Sequence, residues 1–134
     1  MKIQESGEMY LENILVLSQK QEKVRAIDIV NLTGYSKPSI SRALSLLREE
    51  GMVTVGEDGA IRLTEIGQQV ARKIYERHRL LTEFFVSIGV QRETASVDAC
   101  RIEHVISDET FEKMKDCLKK RKKEKEKNDG AETV

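Results

Sequence analysis

The chain has 134 residues, 39% hydrophobic and 34% charged, with three Tyr, three Phe and no Trp. That length holds one compact domain or two very small ones, and the sparse aromatics point to thin helical layers. Its 23 basic and 23 acidic residues cancel, so no basic excess advertises a nucleic acid, and any such partner must be met by a local surface.

From Ser6 to about residue 20, Tyr10, Leu11, Ile14, Leu15 and Leu17 recur at helical spacing, with Ser6 placed as a cap and Met9 and Glu12 three apart on that helix. A polar turn, Gln19 to Lys23, leads to a second helix carrying Ala26, Ile27, Ile29, Val30 and Leu32. Gly34 supplies a tight turn, Ser36 caps a third helix, and Pro38 sits in its first turn, where a missing N–H costs little. That helix runs through Ile40, Ala43, Leu44 and Leu47 to a stop at Gly51. Met52 to Val55 and Ala60 to Thr64, around a Gly/Asp turn at 56–59, read as a hairpin.

A long helix follows the cap Thr64, carries Ile66, Val70, Ile74, Leu81, Phe84 and Phe85 toward Ile88, and closes at Gly89. The next is expected over roughly Thr94 to Ile106, after which Ser107-Asp108-Glu109 caps and charges the start of another. From Lys119 only charge remains, a solvated helix end and solubility aid. The expected division is 1–64, 65–120, and a charged, disordered tail over 121–134. Cys100 and Cys117 form no CxxC, as suits free thiols in a reducing cytosol; Cys117 reads as packing. Met1 to Ser6 holds no apolar signal core and no stretch reaches transmembrane length, so the expectation is a soluble cytoplasmic protein without a membrane partner.

Helix, Gly turn, capped helix and hairpin in that order make a winged helix-turn-helix. The stretch from Ser36 to Arg48 contains three basic residues and no acidic one. Ser36, Lys37, Pro38, Ser39, Ser41 and Arg42 are the candidate DNA-binding residues: serines and helix N-terminal amides suit phosphates, and an Arg near the helix start reaches guanine in the major groove. A winged helix that docks protein instead is the competing reading. The wing, Gly56 to Gly59, is acidic and makes a poor phosphate clamp.

The run Cys100-Arg101-Ile102-Glu103-His104 places a thiol, a carboxylate and an imidazole at i, i+3 and i+4, one face of a helix with about 3.6 residues per turn. These donors suit a divalent transition metal rather than magnesium or calcium. Spacing alone favours a packed Cys100 with Glu103 and His104 facing water. A chain with only two histidines and a DNA-reading half tips the balance toward a metal-gated DNA binder. No nucleophile constellation or Gly-rich phosphate loop is present, so no enzyme and no small organic substrate are expected.

Three strings, Glu8-Met9-Tyr10-Leu11-Glu12, Arg77-His78-Arg79-Leu80-Leu81 and Ala99 to Glu109, resemble the diphtheria toxin repressor family of iron- and manganese-dependent regulators, over about Ser6 to Leu118. The resemblance implies a mainly α protein, a winged helix-turn-helix followed by a helical metal-binding and dimerisation domain. It implies a repressor that binds palindromic double-stranded operator DNA as a homodimer when loaded with metal, the ion joining the first helix to the late one. Met9, Cys100, Glu103 and His104 match the iron branch's ligands; Glu12 and His78 match ligands of the manganese branch. Thr82 and Ser96 depart from the iron branch's ancillary site. That branch also carries an SH3-like domain, for which no strand-rich stretch is present here, a layout like the manganese branch. The sulfur donors make Fe(II) the expected metal, Mn(II) the alternative, and Co(II), Ni(II) or Zn(II) substitutes. The rival expectation is a constitutive winged-helix repressor with a structural metal.

Overall fold

The computed structural model describes residues 5–132, with side chains placed for 7–127. Among them the elements follow in the order α1 (Glu5–Lys20), α2 (Ala26–Thr33), α3 (Lys37–Glu49), β1 (Val53–Val55), β2 (Ile61–Leu63), α4 (Glu65–Ser87), α5 (Arg92–Ile102) and α6 (Asp108–Glu132). The protein is mainly α with a two-stranded wing, as the sequence pattern predicts. No helix among the described residues is long and apolar enough to cross a membrane. The side chain of Ser6, expected as a cap, lies outside the described residues.

Two compact units divide the chain, Met1–Tyr75 and Glu76–Val134. The division falls inside α4 rather than ahead of it at residue 65, because the start of that helix serves the first unit's core: Val70, Ala71 and Tyr75 pack there. In α1 the periodic stripe Tyr10, Leu11, Ile14, Leu15 and Leu17 is buried against Ile29 of α2 and Ile40, Leu44 and Leu47 of α3. Each such side chain contributes about 1.5–3 kcal/mol.

The α2–α3 turn has the chemistry its residues dictate. Gly34 adopts φ 77° and donates its N–H to the Val30 carbonyl at 2.8 Å. Ser36 Oγ then accepts the Ser39 N–H at 3.3 Å, with Pro38 in the first turn. In the wing Val53 pairs with Leu63 and Val55 with Ile61, while Ile61 also donates its N–H to the Val24 carbonyl at 2.7 Å. The wing's Asp58 is engaged by its own unit. The Ala60 N–H and then Lys23 hold its carboxyl below the usual range.

Thr64 closes the wing onto α4: its hydroxyl donates to the Gly51 carbonyl at 2.6 Å and accepts the Gly67 N–H at 3.1 Å. Here α4 passes so close to the strand that a Cβ at Gly67 would lie 2.0 Å from the Met52 carbonyl oxygen.

In the second unit Leu81, Ala95, Ala99, Phe111 and Leu118 are buried. Two expectations are corrected here. Helix α5 stops at Ile102 instead of running to Ile106, and residues 103–107 form a turn in which the Val105 and Ile106 N–H groups both donate to the Ile102 carbonyl. Ser107 ends that turn by capping α6, its Oγ accepting the Thr110 N–H at 3.1 Å. The stretch expected as a disordered tail from residue 121 continues α6 as far as Glu132, and residues 133–134 lie outside the described ones. Straight-chain Lys, Arg and Glu are good helix formers, and Arg121 anchors the extension by donating to Ser87 Oγ at 3.1 Å and lying 5.7 Å over the Phe84 ring.

Because backbone faces Gly67, Gly67→Ala should destabilise the protein by about 1–3 kcal/mol, measured as a lower urea midpoint at unchanged m-value.

Candidate metal centre and DNA-reading face

Glu103 has no exposed surface. It stands immediately after α5, at the cap position, with helical backbone angles. His78, on the second half of α4, brings Nδ1 to 2.9 Å from Glu103 Oε2. His104, next in the turn, brings Nε2 to 3.2 Å from Oε1. One buried carboxylate thus meets an imidazole nitrogen on each oxygen. Two ligands bonded at about 2.1 Å in adjacent octahedral positions lie roughly 3 Å apart, so the spacing within each His–Glu pair suits two donors to a shared ion. Carboxylate and imidazole together suit manganese, iron and zinc, so the residues fit a divalent transition metal.

The remaining candidate ligands are placed differently. Cys100 is exposed on the last turn of α5. Met9 and Glu12 are half-buried on α1 in the first unit. There the Met9 thioether accepts a hydrogen bond from the Tyr35 hydroxyl at 3.5 Å.

On α3, Ile40, Leu44 and Leu47 turn inward, leaving Ser41 and Arg42 exposed. Ser36, Lys37 and Pro38 are exposed at its N-terminus. Ser36 and Ser39 are tied to each other at 2.9 Å, and Arg42 Nη2 reaches Ser39 Oγ at 3.5 Å. Ser45, Leu46 and Glu49 continue a shallow groove with Ser41 and Arg42 along the outer face. Leu46 is 51% exposed, an apolar side chain with nothing of its own unit to cover it.

Residues 64–129 match the family model described as iron dependent repressor, metal binding and dimerisation domain. Residues 14–57 match that of the IclR helix-turn-helix domain. The chain is 30% identical over 118 residues to an uncharacterised HTH-type transcriptional regulator of Methanocaldococcus jannaschii, covering 87% of this chain and 94% of the relative. It is 28% identical to the diphtheria toxin repressor of Corynebacterium diphtheriae, covering 86% of this chain but 51% of that protein. A manganese-dependent transcriptional repressor solved in complex with manganese superposes with a TM-score of 0.77 at 29% identity, covering 84% of this chain and 52% of that one. The chain belongs to the diphtheria toxin repressor family. Its relatives there are transcriptional regulators, not enzymes, and it spans about half the length of several of them.

Two residues of this family member touch the donor cluster in ways the sequence does not single out: Ser96 stands there only as a departure from the iron branch's ancillary site and Arg77 only as part of a resembling string. Ser96 Oγ lies 3.3 Å from His78 Nε2. Arg77 is 8% exposed and donates to the main-chain carbonyls of Glu103 at 3.3 Å and Ile106 at 3.2 Å. Its guanidinium also pairs with Asp108 and lies 5.2 Å over the Phe111 ring. The signal for Arg77 was present: it falls three residues after Ile74 and four before Leu81, both buried, so the helical stripe carries it inward.

Arg77→Met keeps the apolar bulk and removes every donor. The protein should lose about 2 kcal/mol, the scale of a charged hydrogen-bonding group withdrawn from buried carbonyls, measured by urea unfolding.

Proposed function

We propose that the chain is a metal-activated transcriptional repressor that binds operator DNA as a homodimer and controls metal homeostasis in the cytoplasm. The observation that carries this reading is Glu103, a fully buried carboxylate with His78 and His104 on its two oxygens. His78, Glu103 and His104 would hold the ion. Cys100 follows from its place one turn earlier on α5, and Met9 and Glu12 of α1 follow from the family resemblance. Bound there, the ion supplies a divalent charge that holds Glu103 ionised and both imidazoles neutral. DNA affinity becomes metal-dependent when ligands from α1 count toward metal affinity, since an ion shifts an equilibrium only by its differential affinity for the two states.

The DNA face is α3. The N-terminus of that helix, with Ser36, Lys37, Pro38 and Ser39, suits phosphate, while Ser41 and Arg42 suit base edges in the major groove. A C2 homodimer would set two such helices into successive grooves of a palindrome. Fe(II) is the favoured metal, because Met9 and Cys100 add sulfur to the oxygen and nitrogen donors, and Mn(II) is the alternative. Relatives of both kinds support a metal of this class: iron-dependent repressors by name, and a repressor solved with manganese.

The deciding experiment measures DNA binding at buffered free Fe(II), Mn(II), Co(II) and Zn(II), without air. The parent should respond to Fe(II) at lower free concentration than to Mn(II), and the Met9→Asp, Cys100→Glu double variant should reverse that order. Glu103→Gln should stay folded by circular dichroism and lose the metal response. A Glu103→Gln protein that binds DNA as the parent does, with or without metal, would instead support a constitutive repressor.

Arg42→Ala should weaken operator binding by about 1–3 kcal/mol while leaving metal uptake unchanged. Parental affinity in that variant would remove Arg42 from the reading face.

A further inference from the structure

We propose that Ser96 is a positioning residue for His78, whose hydroxyl serves both tautomers of the imidazole and so allows Nδ1 to pass from Glu103 to a metal ion. The inference rests on the reading of His78 as a ligand. His78 is engaged at both ring nitrogens: Nδ1 lies 2.9 Å from Glu103 Oε2 and Nε2 lies 3.3 Å from Ser96 Oγ. A neutral imidazole carries one N–H, and an ionised carboxylate only accepts. Facing Glu103, the proton therefore sits on Nδ1, and bare Nε2 accepts the Ser96 O–H. When Nδ1 offers its lone pair to a metal, the same proton must sit on Nε2, and Ser96 Oγ now accepts it. No proton is gained or lost overall; it leaves one ring nitrogen and arrives on the other.

A hydroxyl is suited to this exchange because it both donates and accepts by rotating about one bond. A carboxylate at 96 would serve only the metal-bound tautomer, an ammonium only the metal-free one, and a methyl neither. The half-buried site adds to the requirement, since a ring nitrogen losing its partner there is not fully repaid by water. Ligating histidines generally need such a partner on the second nitrogen to hold the ring, and losing it costs about 10–100-fold in metal affinity.

The test uses the full chain with nitrogen-15-labelled histidine and Zn(II) as a diamagnetic probe. Nitrogen shifts should place the His78 proton on Nδ1 without metal and on Nε2 with Zn(II). Ser96→Ala, with an unchanged circular dichroism spectrum, should bind Zn(II) about tenfold more weakly. Ser96→Thr, which restores the hydroxyl, should return close to the parent. If His78→Ala leaves Zn(II) affinity unchanged, the ligand reading fails and this inference falls with it. If His78→Ala weakens binding but Ser96→Ala does not, the ligand reading stands and the inference is overturned. A proton on the same ring nitrogen in both states overturns it as well.

Discussion

A carboxylate with no exposed surface has to be compensated where it stands, because an uncompensated buried charge costs several kcal/mol. Glu103 is that carboxylate, and much of the second unit follows from its compensation. His78 Nδ1 meets one of its oxygens at 2.9 Å, His104 Nε2 stands 3.2 Å from the other, and Arg77 donates to its main-chain carbonyl. The same guanidinium takes the Ile106 carbonyl and pairs with Asp108, so one side chain of α4 holds both ends of the turn between α5 and α6. The donor cluster is thereby set on two helices and a pinned turn, which suits a site whose ligands must keep their separations.

The first unit answers a different constraint. Its α3 buries Ile40, Leu44 and Leu47 and leaves a polar outer face with Leu46 exposed on it. With no net charge on the chain, long-range attraction to a polyanion is weak, and affinity has to come from short-range contacts at a local basic face. The wing's Asp58 does not oppose that face freely: it is held by the Ala60 N–H and by Lys23, with Arg25 Nε donating to its carbonyl at 3.2 Å. Compensating a wing acid from its own unit leaves Lys37 and Arg42 exposed at the N-terminal half of α3.

The winged half was legible because its signals are local. Gly34, Ser36, Pro38 and Thr64 each decide a turn or a cap within three or four residues, and the structure uses each in the way its chemistry dictates. What escaped is long-range. The turn that follows α5 is held by Arg77, which donates to the Glu103 carbonyl from 26 positions away. The two faces of Glu103 were read as one helical face with Cys100, yet Glu103 finds His78 at a separation of 25 positions, while Cys100 stays exposed. Gly67 carries no local signal at all; only the approach of Met52 makes it necessary. Past residue 121 the composition permits both a solvated helix end and a disordered tail, and the helix prevails because the residues are good helix formers anchored at Arg121.

The donors around Glu103 in the second unit are carboxylate oxygen and imidazole nitrogen, a set that discriminates poorly among Mn(II), Fe(II) and Zn(II). Under the proposed ligand set, selectivity therefore falls to the sulfur of Met9 and Cys100. Of those two, Cys100 is exposed and Met9 already shares its lone pair with the Tyr35 hydroxyl. A sulfur–metal bond at Met9 has to compete with that hydrogen bond, which is weak, as thioether acceptors are. Tyr35 immediately precedes Ser36, the cap of α3, so the donor that would choose the metal touches the residue just ahead of the DNA-reading helix's cap.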